Sequence, residues 1–225
     1  MRKPEKDGWF NDMNVNPIRL LLTRHGETQW NAEHRIQGHT DLDLSDRGVK
    51  QAEALAARLA GAGISAVYSS DLSRAVRTAA IILDKLPTGT PHITTPLLRE
   101  RNWGVFEGRT WKETEEQLPE EIRRLRRHPL DFTPEGGESR ADVMIRIKSF
   151  LSALVDRHPA ENVLAVTHGG VSSLMIKLMI GMDLSNITPF RVENCSVSVM
   201  DYVRENTWFV QCLNDMSHLD DLKII

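Results

Sequence analysis

Cysteine is scarce: the 225 residues contain two, Cys195 and Cys212. Two thiols without an export signal suggest neither a disulfide framework nor a zinc site, and both are expected to be small apolar groups in the interior. Long apolar runs are missing as well. No stretch reaches the roughly 18 residues of a membrane-spanning helix. The opening MRKPEKDGWFNDMNVNP is polar and lacks the apolar stretch of a secretory signal. Neither sign of charge dominates, since 28 Lys and Arg stand against 31 Asp and Glu for a formal net charge of −3. That balance gives no general attraction to nucleic acid or to an anionic membrane. The expectation is a cytoplasmic protein with neither as a partner. Hydrophobic residues at 40% and charged residues at 26% fit a globular chain, and the length suits one large domain.

Residues 1–16 are expected to be a tail, either docked through Trp9 and Phe10 or mobile, and 17–225 a single domain. Ile18 to Thr23 is a continuous apolar run, as in a strand buried on both faces of a parallel sheet. A polar, loop-like stretch follows to residue 44. Ser45 can cap a helix carrying Val49, Ala52, Leu55, Ala56 and Leu59 on one face, stopped by Gly61 and Gly63. SAVYS at 65–69 reads as a strand, 71–86 as a helix ended by Pro87, and 92–98 as a short strand entering a loop. A charged helix is expected over 110–127, another over 139–158, a strand over 162–167, and a buried helix over 171–180. Two strands, 196–203 and 207–213, suggest a hairpin turning at Glu205 and Asn206. Its edge either offers a surface for pairing with a second copy, which makes a homodimer one expectation, or is covered by the C-terminal tail. Alternating strands and helices predict an α/β fold with a mainly parallel sheet covered on both faces.

Two phrases in this layout nearly coincide. IRLLLTRHG at 18–26 and NVLAVTHGG at 162–170 each run from an apolar strand through Thr to a His-Gly step. Their flanks differ, a polar loop after one and an apolar helix after the other, which argues against duplication. In an open α/β sheet, ligands sit at the carboxyl ends of the strands. If the two strands are neighbours, His25 and His168 face one another across a single pocket.

A lone histidine after a strand is commonly a hydrogen-bonded structural group, and His34, His39, His92, His128, His158 and His218 are read as surface or structural. The equivalent placement of His25 and His168 points to function. Metal binding is disfavoured, because the two are far apart in sequence and their neighbours are arginines. An anion site fits better. Arg24 precedes His25, and Arg74 in SSDLSRAVRTA falls in the first turn of a helix at the same sheet edge. Arg77, one turn on, suits either that site or a surface ion pair. Gly26 and Gly169 allow close backbone approach. Two His and two Arg around an anion suggest phosphoryl transfer to a histidine. The arginines would keep His25 neutral and stabilise charge on the transferring group. Glu100, in a loop after a strand, is the candidate acid and base; its bland reading is an ion pair.

At this point a resemblance covers most of the chain, from about residue 18 to 219. TRHGETQWN (23–31), QGHTDLDLSDRGVKQA (37–52), YSSDLSRAVRTA (68–79), LLRERNWGVFEG (97–108), PEGGES (134–139), VTHGG (166–170) and LNDMSHL (213–219) occur in the order of the histidine phosphatase superfamily, the phosphoglycerate-mutase-like proteins. The resemblance implies a three-layer α/β/α sandwich and no metal or other cofactor. His25 matches the nucleophile, Arg24, Arg74 and His168 the rest of the phosphate pocket, and Glu100 the general acid and base. Asn31 and Gln37 match positions bordering phosphate or substrate, with Gly38 and Gly169 beside them. The wording EGRTW and PEGGES resembles the phosphatase branch, so a small phosphorylated metabolite is the expected partner. A phosphoglycerate mutase and a non-catalytic phospho-ligand module are the alternatives. Arg123, Arg124, Arg126 and Arg127 follow a run of acids in a lid region and read as a solvated, ion-paired helix, with substrate recruitment as the other option. Trp103, Phe106 and Trp111 suit either a substrate wall or an anchor for that lid.

Overall fold

Alternation along three strands builds two cores from one sheet. A computed structural model describes residues 17–185, 188–204 and 207–222. The expected tail at 1–16 and the expected turn at Glu205 and Asn206 lie outside these. In β1 (Ile18–Arg24), Leu20 and Leu22 face one way and Leu21 the other. β2 (Ile64–Ser69) divides in the same way, Ala66 and Tyr68 against Val67. The strand later in the chain, Asn162–Thr167, sends Val163 and Ala165 to the first side and Leu164 and Val166 to the second. Successive side chains on a strand point to opposite faces, so an unbroken apolar run needs helices on both.

Those helices are present. After a single turn, α1 (Gln29–Ala32), come α2 (Asp46–Leu59) and, beyond β2, α3 (Ser73–Leu83). α2 and α3 cover the Leu21 side with Leu55, Ala56, Ala79 and Ile82. β3 (His92–Thr94) is followed by α4 (Trp111–Gln117), α5 (Pro119–Arg127) and α6 (Arg140–Arg157). Then come β4, the Asn162–Thr167 strand, and α7 (Gly169–Met179). α6 and α7 cover the Leu20 side with Ile147, Phe150, Val171 and Met175. β5 (Val197–Arg204) and β6 (Thr207–Asp215) complete the sheet. Its order is β3-β2-β4-β1-β5-β6, with β3, β2, β4 and β1 mutually parallel and β5 antiparallel to both neighbours. This is the expected mainly parallel α/β/α sandwich. Among the described residues no helix is long and apolar enough to cross a membrane.

Boundaries differ where local chemistry intervenes. The helix expected over 110–127 is two, because Pro119 disfavours helical dihedrals at Leu118, whose φ of −129° and ψ of 53° separate α4 from α5. The helix expected from Asp71 starts at Ser73, since Leu72 is extended and Asp71 pairs with Arg99 through two 2.7 Å bonds. The stretch read as loop contains α1, capped by Thr28 and Asn31 in a reciprocal box. α7 begins two residues earlier than expected, with His168 as its N-cap.

A third apolar cluster, Ile36, Phe106, Ile122 and Phe132, anchors α5 through Ile122. Phe106 is fully buried between Trp103 and Phe132. Phe106→Ala is expected to destabilise the fold by about 3–5 kcal/mol, to be read from urea denaturation midpoints with an unchanged m-value.

Candidate active site

Parallel pairing of β1 with β4 sets Arg24 opposite Thr167, and the His25 amide donates to the Thr167 carbonyl at 2.9 Å. The residues that follow the two strands, His25 and His168, are therefore adjacent. Their ring centroids lie 5.0 Å apart at an interplanar angle of 62°, and both side chains are buried.

The hydrogen bonds fix which nitrogen carries the proton. Nδ1 of His25 lies 2.7 Å from the Gly26 carbonyl. A carbonyl only accepts, so Nδ1 donates and Nε2 keeps its lone pair. His168 has the opposite tautomer. Its Nδ1 accepts from Arg74 Nε at 3.2 Å, so the proton sits on Nε2. That Nε2, and Nε of Arg24, are buried with no protein partner among the described residues. Buried polar groups are normally paired, and an anion between the histidines would satisfy both.

Burial pushes His25 well below its usual pKa, and Arg74 and Arg24 add to the effect. His168 is also held well below its usual value, by burial first and then by Arg74 and His25. Both imidazoles are neutral near pH 7. Burial lowers Arg74 to about 10, which leaves it a cation. Arg74 is fully buried and held at both ends of its fork, NH1 to the Thr40 carbonyl at 2.9 Å and NH2 to the Gly38 carbonyl at 2.7 Å. Arg24 is anchored by NH1 to the Val192 carbonyl at 3.0 Å.

Glu100 lies across the pocket. Its carboxylate accepts from the Gly170 amide at 3.0 Å and the Arg101 amide at 2.8 Å. Its carbonyl accepts from His39 Nε2 at 2.8 Å and from Arg146 at 3.0 Å. A Cβ at position 170 would meet the carboxylate at 2.5 Å, whereas one at 169 would stand at ordinary contact distance, 3.4 Å, from Arg24. The closer approach is thus at Gly170, where a Cβ would displace the Glu100 carboxylate, rather than at the Gly169 singled out from sequence. These groups line a pocket of about 200 Å³, with Asn31, Arg35, Gln37, Gly38, Trp103 and Trp111 as the rest of its polar and aromatic wall.

The loop holding Arg74 depends on one carboxylate. Glu107 accepts from the amides of His39, Thr40 and Trp103 at 2.9, 2.8 and 3.0 Å, and from the Thr40 hydroxyl at 2.6 Å. Gly38 has φ of +54° and a Cβ there would strike Glu107 at 1.9 Å. Glu107→Ala leaves those donors unsatisfied and loosens the carbonyls that fix Arg74. The expected result is a fall in kcat/KM of about 10²-fold, read by steady-state kinetics, since small misplacement of a positioned group has effects of that order.

The sequence matches the profile of the histidine phosphatase superfamily, branch 1, over residues 20–216. The chain belongs to this superfamily. A relative from Cronobacter sakazakii named probable phosphoglycerate mutase GpmB is 37% identical over 211 residues, 90% of this chain and 95% of that protein. The alpha-ribazole phosphatase from Shigella flexneri superposes with a TM-score of 0.79 at 31% identity, covering 88% of this chain and 96% of that one. A mycobacterial glucosyl-3-phosphoglycerate phosphatase, solved with VO3, gives a TM-score of 0.78 at 28% identity, covering 88% and 100%.

In this histidine phosphatase family member, the pocket gathers the nine residues taken from sequence as catalytic or phosphate-binding: Arg24, His25, Asn31, Gln37, Gly38, Arg74, Glu100, His168 and Gly169. Arg77 lies outside it, exposed and paired with Asp43 at 2.9 Å. Of the lid arginines, Arg123, Arg124 and Arg126 pair with Glu120, Glu121 and Glu115. The aromatics divide: Trp103 and Trp111 line the pocket while Phe106 anchors the lid. His39, read as surface or structural, is structural, and what it supports is the Glu100 backbone at the pocket. His218 is structural, bonding the Cys195 carbonyl at 2.9 Å. Cys195 is buried, as expected, and burial pushes its thiol pKa up; Cys212 is half-buried.

Sequence reasoning missed Arg35 and Asn194. Asn194 donates to the His25 carbonyl at 2.8 Å and to Asn31 Oδ1 at 3.3 Å. It precedes β5 and reaches the site only because β5 pairs with β1. No pattern in ENCS signals that.

Proposed function

We propose that the chain is a phosphomonoesterase that hydrolyses small phosphorylated metabolites through a phosphohistidine at His25. One observation carries this reading: the lone pair on His25 Nε2 and the proton on His168 Nε2 meet in a small pocket bounded by two buried-side arginines. Nε2 of His25 attacks phosphorus, and the bond from phosphorus to the ester oxygen breaks. Arg24, Arg74 and His168 hold the three remaining oxygens as charge spreads over them. Protonated Glu100 gives its proton to the departing alkoxide. The resulting carboxylate then takes a proton from water, whose oxygen attacks the phosphohistidine. The P–N bond breaks, releasing inorganic phosphate and neutral His25. Gly170, beside the carboxylate, is exposed, which gives water a route to it.

The test is a phosphate-release assay with EDTA present. The pocket's positive charge comes from arginine, so chelation leaves the rate unchanged; a rate that collapses with EDTA and returns with a divalent ion contradicts the reading. The pH profile gives a second check. kcat/KM reports the free enzyme, and His25 must be neutral to attack. Because its pKa is lowered, the fraction of neutral His25 stays high as pH falls through 6.5 and drops only at lower pH. The acid limb of kcat/KM for His25 therefore lies below the ordinary histidine value.

The name of the Cronobacter sakazakii relative favours a second reading, a phosphoglycerate mutase with the same first step. It predicts interconversion of phosphoglycerates that depends on a bisphosphoglycerate primer, with little free phosphate released. A phospho-ligand module would bind phosphate esters and release none.

A further inference from the structure

A second pocket, of about 230 Å³, adjoins the first and shares Glu100, Trp103, Gly169 and Gly170 with it. Three cations stand in its walls: Arg101, Arg140 and Lys177. Among the described residues, Glu100, on the shared side, is its one acidic wall residue. Val143 and Leu174 supply an apolar floor between the charges.

None of the three cations serves the phosphate pocket. Arg101 is 5% exposed and is held by the Glu138 and Phe132 carbonyls at 2.8 and 2.7 Å, over the face of Trp103 at 4.1 Å. Its NH1 is buried with no protein partner among the described residues. Arg140 opens α6 and donates to the Leu184 carbonyl at 2.8 Å. Lys177 comes from α7 and is fully buried, near Asp183. Burial and then Arg140 lower the Arg101 pKa, to about 10. Glu100, Glu138 and Asp142 offset part of this; the two guanidinium groups still disfavour one another, a cost that a bound anion would relieve.

We propose that this second pocket receives another anionic group of the same substrate, a carboxylate or a second phosphate joined to the phosphoester by a short apolar or hydroxylated spacer. This rests on the phosphatase reading of the first pocket and narrows it: the preferred substrates are phosphomonoesters with a second negative charge. The shared wall of Glu100, Trp103 and the two glycines lets one molecule span both pockets, with its ester oxygen beside Glu100. Arginine suits this purpose because its planar fork matches a carboxylate or phosphate in two-point contact.

The experiment pairs alkyl phosphates of graded length that end in a hydroxyl with those that end in a carboxylate. Binding is measured by calorimetry on His25→Ala, and turnover by phosphate release from the wild type. A charge-assisted hydrogen bond corresponds to about ten- to hundredfold in affinity. The carboxylates are expected to bind more tightly by about that factor at the best length. In the background of His25→Ala, Arg140→Gln should remove the preference and Arg140→Lys should retain it. The hydroxyl series reports whether each variant still folds and binds phosphate. Equal affinity at every length, or a preference that survives Arg140→Gln, overturns the second pocket. Absence of phosphate release by the wild type overturns the phosphatase reading instead, while the binding preference still decides the subsite.

Discussion

Replacing His25 by alanine lowers turnover of every phosphomonoester by about 10⁴-fold or more, the scale seen when an enzyme loses its nucleophile. The argument is one of geometry. Nδ1 of His25 is committed to the Gly26 carbonyl at 2.7 Å, so Nε2 is the free lone pair in the pocket. His168 cannot substitute, because its own lone pair already accepts from Arg74 at 3.2 Å. The variant should still bind phosphate, since Arg24, Arg74 and His168 remain. Phosphate binding by calorimetry, together with lost turnover, separates a missing nucleophile from a collapsed site. A His25→Ala enzyme within tenfold of wild type would rule out covalent catalysis at this residue.

Glu100→Gln gives the second large effect, and its size depends on the leaving group. A positioned acid or base contributes about 10²–10⁴-fold. An alkyl phosphate needs a proton on its departing oxygen and loses that full factor. An aryl phosphate leaves as a stable phenolate, so its first step is nearly unimpaired. The second step still lacks a base, and phosphohistidine accumulates. The expected signature is a burst of phenol followed by slow turnover, read by stopped-flow absorbance. The side chain is held by the Gly170 and Arg101 amides; glutamine can still accept one of these, so the backbone is not left wholly unpaired. An equal loss in the first step for alkyl and aryl esters, with no burst of phenol, would show that Glu100 acts as a structural anchor.

The sheet was legible because its strands are buried on both faces. Such strands read as continuous apolar runs, and IRLLLT and NVLAVT are of that kind. The site was legible because parallel strands deliver their C-terminal residues to one edge, so two His-Gly steps in equivalent positions converge once β1 and β4 pair. Residues that arrive through tertiary contact left no local signal. Asn194 depends on the β1–β5 pairing, and His39 on a loop held by Glu107. The break at Pro119 is written in the sequence, since proline disfavours helix at the residue before it, but the unbroken charge pattern over 110–127 masks it. Likewise, Gly170 rather than Gly169 proved to be the close approach, because that distinction depends on where the Glu100 carboxylate rests.

The most direct test of phosphoryl transfer to His25 is peptide mapping of the phosphoenzyme. Wild-type protein is mixed with an aryl phosphate, quenched into alkali within one turnover, digested, and its phosphopeptides sequenced by mass spectrometry. The mechanism predicts acid-labile phosphate on Nε2 of His25 and none in the His25→Ala protein. Turnover without any phosphopeptide, or phosphate carried by His168, would contradict it.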